Sequence, residues 1–207
     1  MSGRIKLYYK PGSCALAVHI ALIWAGAEYE IEQVELGSSE YKKINPLGSV
    51  PALLYYNKIM TEAGSLLKFI ANKYKEKNLL GSKDYETIQE VDQWLSFLGT
   101  ELHKGYSQIF APSRFTTKTD EVSLESVKQA AVNRLKFVYS IIEQHLEGKK
   151  FMVTNQKTIV DPYLYVMNTW MPATNILKLT DYPNMQKHFN VIAEDLAVIR
   201  ARKEQGI

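Results

Sequence analysis

The chain has 207 residues, of which 46% are hydrophobic and 23% charged, the profile of an ordinary folded protein. A chain this long buries a core without a metal or disulfide staple, and its composition excludes disordered, collagen-like and low-complexity architectures. Lys and Arg number 25 against 22 Asp and Glu, a formal net charge of +3, too small and too scattered to form a nucleic-acid or anionic-membrane surface.

Ile5 to Tyr9 is a short apolar run rich in aromatics and reads as a strand. Pro11-Gly12-Ser13 marks a turn, and Cys14 to Ala25 reads as an apolar helix ended by Gly26. With Arg4, Lys6 and Lys10 before it and Ala25-Gly26-Ala27 after it, this run imitates a secretory leader. His19 interrupts the run, the basic flank is itself strand-like, and the run is shorter than the roughly 20 residues that span a bilayer. The expectation is a cytoplasmic protein with no membrane contact. Tyr29 to Leu36 is a second strand whose alternation slips at Gln33. Val50 to Tyr56 and Lys58 to Met60 flank Asn57 as a hairpin, and Glu62 opens a helix to about Tyr74.

Asn78 to Asp84 reads as a linker, and strand signals nearly vanish beyond it. Tyr85 to His103 is helical. Leu124, Val127, Ala131, Leu135, Val138, Ile142 and Leu146 step by three and four, one long amphipathic helix stopped at Gly148. Pro183 to Gln205 is helix-like. The expected fold is a small α/β domain over residues 1–78 followed by an all-α domain over residues 85–207.

Five features bear on chemistry. Cys14, the only cysteine, excludes an intrachain disulfide and a cysteine-based zinc site, and the four scattered histidines have no metal-ligand spacing, so no metal is expected. Cys14 begins a helix after a Pro-Gly turn, where free amides and the macrodipole favour a thiolate and Ser13 is a further donor. It also fits the small buried hydrophobe that free cysteines commonly are. Val50-Pro51 reads either as an ordinary edge proline or as a cis bond that turns the Val50 amide and carbonyl toward an extended peptide. Thr61-Glu62-Ala63 either complements the dipole of the next helix or holds an α-amino acid group, carboxylate on the Ala63 amide and ammonium on Glu62. His103 and Lys104 either cap a helix end before Gly105 or polarise an anionic sulfur. Thr158 to Asp161 has the form of a capping box, with Asp161 as N-cap before Pro162 the alternative.

Taken in order, these pieces resemble the bacterial, cysteine-containing beta-class glutathione transferases over essentially the whole chain. The resemblance rests on Tyr9-Lys10-Pro11-Gly12-Ser13-Cys14, Asn45-Pro46, Val50-Pro51-Ala52-Leu53, Thr61-Glu62, Thr100-Glu101-Leu102-His103-Lys104-Gly105 and Thr158-Ile159-Val160-Asp161. It implies a thioredoxin-like N-terminal domain, an all-α C-terminal domain, a homodimer, and glutathione as cosubstrate. It implies that Cys14 faces the glutathione sulfur, that Val50 and cis-Pro51 hold the cysteinyl part, and that Glu62 and Ala63 hold the γ-glutamyl end. It further implies that Ser96, Thr100, Glu101, Leu102 and His103 line the site, with Tyr9, His103 and Lys104 near the thiol. The electrophile pocket falls to apolar side chains such as Phe110, Phe115 and Trp170.

Three positions depart from the family pattern. Ala15 follows the cysteine where serine is frequent. Gly37-Ser38-Ser39 replaces the loop whose lysine binds the glycine carboxylate. Lys157 stands where an apolar staple residue is expected. The function expected is conjugation of glutathione to hydrophobic electrophiles. The alternatives are a disulfide or peroxide reductase working through a Cys14 mixed disulfide, and a non-catalytic dimeric ligand-binding protein of the same fold.

Overall fold

The computed structural model describes residues 5–207; Arg4, part of the basic flank noted above, lies outside the described residues. Strand β1 (Ile5–Tyr9), helix α1 (Ala15–Ala25), strand β2 (Tyr29–Gln33), short helix α2 (Ser39–Lys42), strands β3 (Ala52–Tyr55) and β4 (Lys58–Thr61) and helix α3 (Ala63–Lys73) make the α/β part. The sheet order is β2-β1-β3-β4. β1 runs parallel to β2 with Ile5 opposite Tyr29, and antiparallel to β3 with Tyr8 opposite Ala52. β3 and β4 form the expected hairpin. The strand–helix–strand–hairpin–helix order is as read from the sequence, and the arrangement is the thioredoxin-like one that the family resemblance implied.

α1 is buried almost all round, from Ala15 to Leu22 without a break. Such a helix needs cover on every side. It packs on α3 within the α/β part and, beyond it, on α7 (Val160–Thr174) and α9 (Leu196–Glu204). One polar group inside it requires partners: His19 is fully buried, and its ring nitrogens meet Glu204 Oε2 at 2.9 Å and Gln205 Nε2 at 3.3 Å. Tyr29 Oη donates to the same Glu204 oxygen at 2.8 Å. The last helix thereby clasps the first.

The remaining helices are α4 (Tyr85–Phe97), α5 (Lys104–Phe110), α6 (Glu121–His145), α7 (Val160–Thr174), α8 (Pro183–Ala193) and α9 (Leu196–Glu204). Three differ from the sequence reading. α2, where the sequence reading assigned no element, forms because the Ser38 side chain accepts the Tyr41 N–H and caps it. The run from Pro183 to Gln205 is two helices, broken where Asp195 turns extended and caps α9 through the Ala197 N–H. The rod beginning at Tyr85 does not end before Gly105. It passes through a π turn, Leu98–His103, into α5. A Cβ on Gly105 would lie 2.7 Å from Leu135 Cδ2, so glycine stands there to let α5 approach α6, not to stop a helix.

α7 is the buried axis of the helical part. The capping box holds at its start: the Asp161 carboxylate accepts the Thr158 N–H at 2.6 Å, and Thr158 Oγ1 accepts the Val160 N–H at 3.3 Å. The same carboxylate accepts the Met152 N–H at 2.8 Å and meets His188 Nε2 at 2.9 Å. In place of an apolar staple, Lys157 pairs with Asp195 and lies 4.6 Å from the Trp24 ring centroid. Trp24 Nε1 donates to the other oxygen of Asp195 at 2.9 Å.

Candidate active site

A cleft of about 830 Å³ runs between the two parts. Its first wall comes from the α/β part. The Val50-Pro51 bond is cis. Asn45 Nδ2 and Tyr41 Oη both donate to the Ser49 carbonyl, at 2.7 and 2.9 Å, and pin the residue before Val50. Glu62 carries φ +68°, a region that side-chain-bearing residues avoid and that recurs at functional sites. Its side chain makes no capping hydrogen bond to α3, at whose start it stands. Both Glu62 and Ala63 line the cleft.

The opposite wall is one stripe of the rod from α4 to α5. Asp92, Leu95, Ser96, Gly99, Thr100, His103, Lys104 and Ser107 all face the cleft. Their spacing by one, three and four is that of a single helical face. The π turn falls within this stripe, as π turns often do at functional sites.

Cys14 and His103 meet the cleft from the two sides, and burial acts on both. Burial pushes the Cys14 thiol up to about 12, against the pull of the Cys14 and Ala15 amides. The helix-start expectation of a thiolate is therefore corrected: desolvation outweighs the dipole here. Sγ donates to the Val50 carbonyl at 3.3 Å, as a thiol does. Ser13 is no sulfur donor either, because its hydroxyl donates to Lys10 O at 2.7 Å and accepts the Ala15 N–H at 3.3 Å. Burial, assisted by the neighbouring Lys104 charge, lowers His103 to about 4, so the ring is neutral at physiological pH. Its Nδ1 lies 2.9 Å from Tyr163 Oη. Burial pushes the Tyr163 phenol up, so that oxygen keeps its proton. In the tautomer in which Tyr163 donates to Nδ1, the His103 proton sits on Nε2.

Of the residues expected at the site, Cys14, Val50, Pro51, Glu62, Ala63, Ser96, Thr100, His103 and Lys104 line this cleft. The others lie elsewhere. Tyr9 is buried in β1, Leu102 is fully buried in the core, and Glu101 pairs with Arg134. Trp170 is buried, its indole N–H donating to the Gly12 carbonyl at 2.9 Å, which ties the turn before Cys14 to α7. Phe110 packs edge-on to Trp170 and Phe115 lies under Lys104; both are more than one-third exposed. These aromatics continue from His103, whose ring centroid is 5.2 Å from that of Trp170. Sequence reasoning missed Tyr163, Lys68, Asp92 and Ser107. The helical spacing from Thr100 and His103 points to Asp92 and Ser107; nothing local marked Tyr163.

Family models for the N-terminal and C-terminal domains of glutathione S-transferases match residues 3–72 and 92–195. The chain belongs to the glutathione S-transferase family. Similar proteins include the Escherichia coli O157:H7 glutathione S-transferase GstA, 29% identical with 98% of this chain and 100% of that one covered. A sphingomonad glutathione S-transferase complexed with glutathione is 31% identical, with a TM-score of 0.85 and 98% and 99% of the two chains covered. A beta-class glutathione S-transferase from Sphingomonas chungbukensis is 29% identical, with a TM-score of 0.86 and 97% and 98% covered. Among the described residues of this family member, no helix is long and apolar enough to cross a membrane.

Proposed function

We propose that the protein binds glutathione in this cleft and transfers its sulfur to a hydrophobic electrophile. The observation that carries the reading is the meeting of Cys14, Val50, Glu62, Ala63 and His103 on one cleft, in a chain that aligns over 98% of its length with a relative complexed with glutathione. The γ-glutamyl ammonium pairs with Glu62 and the α-carboxylate meets the Ala63 amide at the start of α3. The cysteinyl backbone pairs with Val50 as an added strand, displacing the Cys14 thiol from the Val50 carbonyl. The freed Cys14 S–H and the His103 Nε2–H then donate to the glutathione sulfur and favour its thiolate. A downward shift of one to two units in that thiol corresponds to about 1.4–2.8 kcal/mol. The thiolate attacks the electrophilic carbon, the new C–S bond forms as the leaving group departs, and the thiol proton goes to solvent. The electrophile packs on the aromatic surface of Phe110, Phe115 and Trp170 beyond His103.

The protein acts as a cytoplasmic homodimer in this reading, with domains over residues 1–78 and 85–207. A reductase working through Cys14 needs a thiolate that attacks readily, and a buried thiol held at about 12 argues for conjugation instead. Titration calorimetry with glutathione, followed by conjugation of chlorodinitrobenzene on the same preparation, tests the proposal. Saturable heat and turnover are expected. No heat at several millimolar glutathione overturns it.

A further inference from the structure

Two charged side chains in the cleft have no task in the reading above. Lys68 on α3 and Asp92 on α4 join the two walls, Nζ 2.7 Å from Oδ2, and both line the cleft with Glu62 and Ala63. The pair is part-exposed, at 42% for Lys68 and 29% for Asp92, and such pairs contribute little to stability. Asp92 Oδ1, in contrast, is buried with no hydrogen-bond partner. A carboxylate with one oxygen so placed depends on its other partner, so Lys68 is held against Asp92 instead of swinging into solvent.

An ammonium group has three donors, and Asp92 takes one from Lys68. Lys68 lies five residues beyond Ala63, about 7.5 Å along the axis of α3. Helical side chains lean toward their own N-terminus, which here is the Ala63 amide. Among the described residues lining the cleft, the other lysine is Lys104. It stands twelve residues from Asp92 along the rod, about 18 Å away, and covers the Phe115 ring. The Glu62 end of the cleft thus holds two carboxylates and one cation. That pattern suits a zwitterion whose ammonium goes to the acids and whose carboxylate goes to the lysine.

We propose that Lys68, held in place by Asp92, shares the α-carboxylate of the γ-glutamyl end with the Ala63 amide; this rests on the glutathione reading above. Lys68 is a specificity-determining residue and Asp92 its positioning residue. The test compares glutathione with γ-aminobutyryl-cysteinyl-glycine, which lacks only the α-carboxylate. Dissociation constants for both are measured by calorimetry on wild type, Lys68→Met, Lys68→Arg and Asp92→Asn, with melting curves to confirm folding. Wild type is expected to prefer glutathione by about tenfold or more, the range of a charge-assisted hydrogen bond. Lys68→Met should lose most of that preference by weakening glutathione alone, the Ala63 amide keeping the remainder; Lys68→Arg should restore most of the loss, and Asp92→Asn should reduce the preference severalfold. A Lys68→Met protein that still prefers glutathione as wild type does overturns the assignment. If wild type binds neither peptide, the parent glutathione reading falls, and this one with it.

Discussion

The wall built from β3, β4 and α3 offers mostly fixed groups: the Val50 backbone beside a cis bond, the Ala63 amide, and Glu62 held at positive φ. The wall built from α4 and α5 offers side chains on one helical stripe, from Asp92 to Ser107. The first can define one ligand closely, because backbone geometry leaves little freedom. The second can be altered residue by residue without disturbing the fold. In the proposed function the α/β part recognises glutathione, while the helical part tunes its sulfur and admits the electrophile. Each prediction below perturbs one wall and asks whether the other notices.

The largest effect is expected away from both walls. Asp161 is fully buried with Thr158, Met152 and His188 on its carboxylate. Asp161→Ala strands these partners and should cost about 3–5 kcal/mol of stability, measured by urea denaturation. Loss of the second wall without a change in glutathione affinity of the still-folded fraction would separate the two. Next in size, Glu62→Gln should weaken glutathione by about 1.5–3 kcal/mol in calorimetry while leaving the melting temperature near wild type. An unchanged affinity would mean that recognition does not reside on the first wall.

Tyr163→Phe removes one hydroxyl and frees His103 Nδ1. The fall expected in kcat is about two- to tenfold, with KM for glutathione nearly constant. The pH profile sharpens this. A histidine whose folded value lies near 4, below the ordinary 6.5, binds its proton more readily unfolded. It therefore lowers stability as pH falls from about 6.5 toward 4 and contributes nothing above that window. Activity between pH 5 and 8 should follow one ionisation only, that of the bound thiol; a second one near 6.5 would mean that His103 is solvated. Smallest is Cys14. Alkylation by iodoacetamide should be slow and nearly flat from pH 6 to 9, and Cys14→Ala should keep much of the conjugation rate, since glutathione supplies the thiol and His103 remains. Rapid alkylation at pH 7 would restore the thiolate.

How much of this was legible depended on whether the signal was local. Strand β1, the hairpin and the start of α3 follow from an apolar, aromatic-rich run, Asn57 and Glu62, all local. β2 ends at Gln33, where its alternation slipped. The bounds of α6 follow from seven apolar residues in helical phase, within three residues at the start and one at the end. Gly105 misled because glycine ends helices more often than it admits a neighbour, and only the position of Leu135 reveals the second role. Cys14 misled for a related reason. The sequence shows a helix start but not how much water reaches the sulfur, and burial decides its protonation. Val50, Glu62 and His103 were found through residue order, whereas the Tyr163 hydroxyl meets His103 across 60 positions of chain and left no local trace.

The clasp on α1 has a bearing on how the molecule forms. His19 lies in the first helix, and its carboxylate and amide partners come 185 and 186 positions later. The Trp170 bond to the Gly12 carbonyl spans 158. Contacts this distant in sequence form slowly, since a long loop must close before they contribute. A chain whose β1, α1 and β2 have already condensed therefore carries an unsatisfied buried imidazole and a loosely held turn before Cys14 until the final helix docks. The cleft should be the last part of the molecule to become competent. In a refolding experiment, recovery of ligand binding should trail recovery of helical signal, with docking of the C-terminal helix as the step between them.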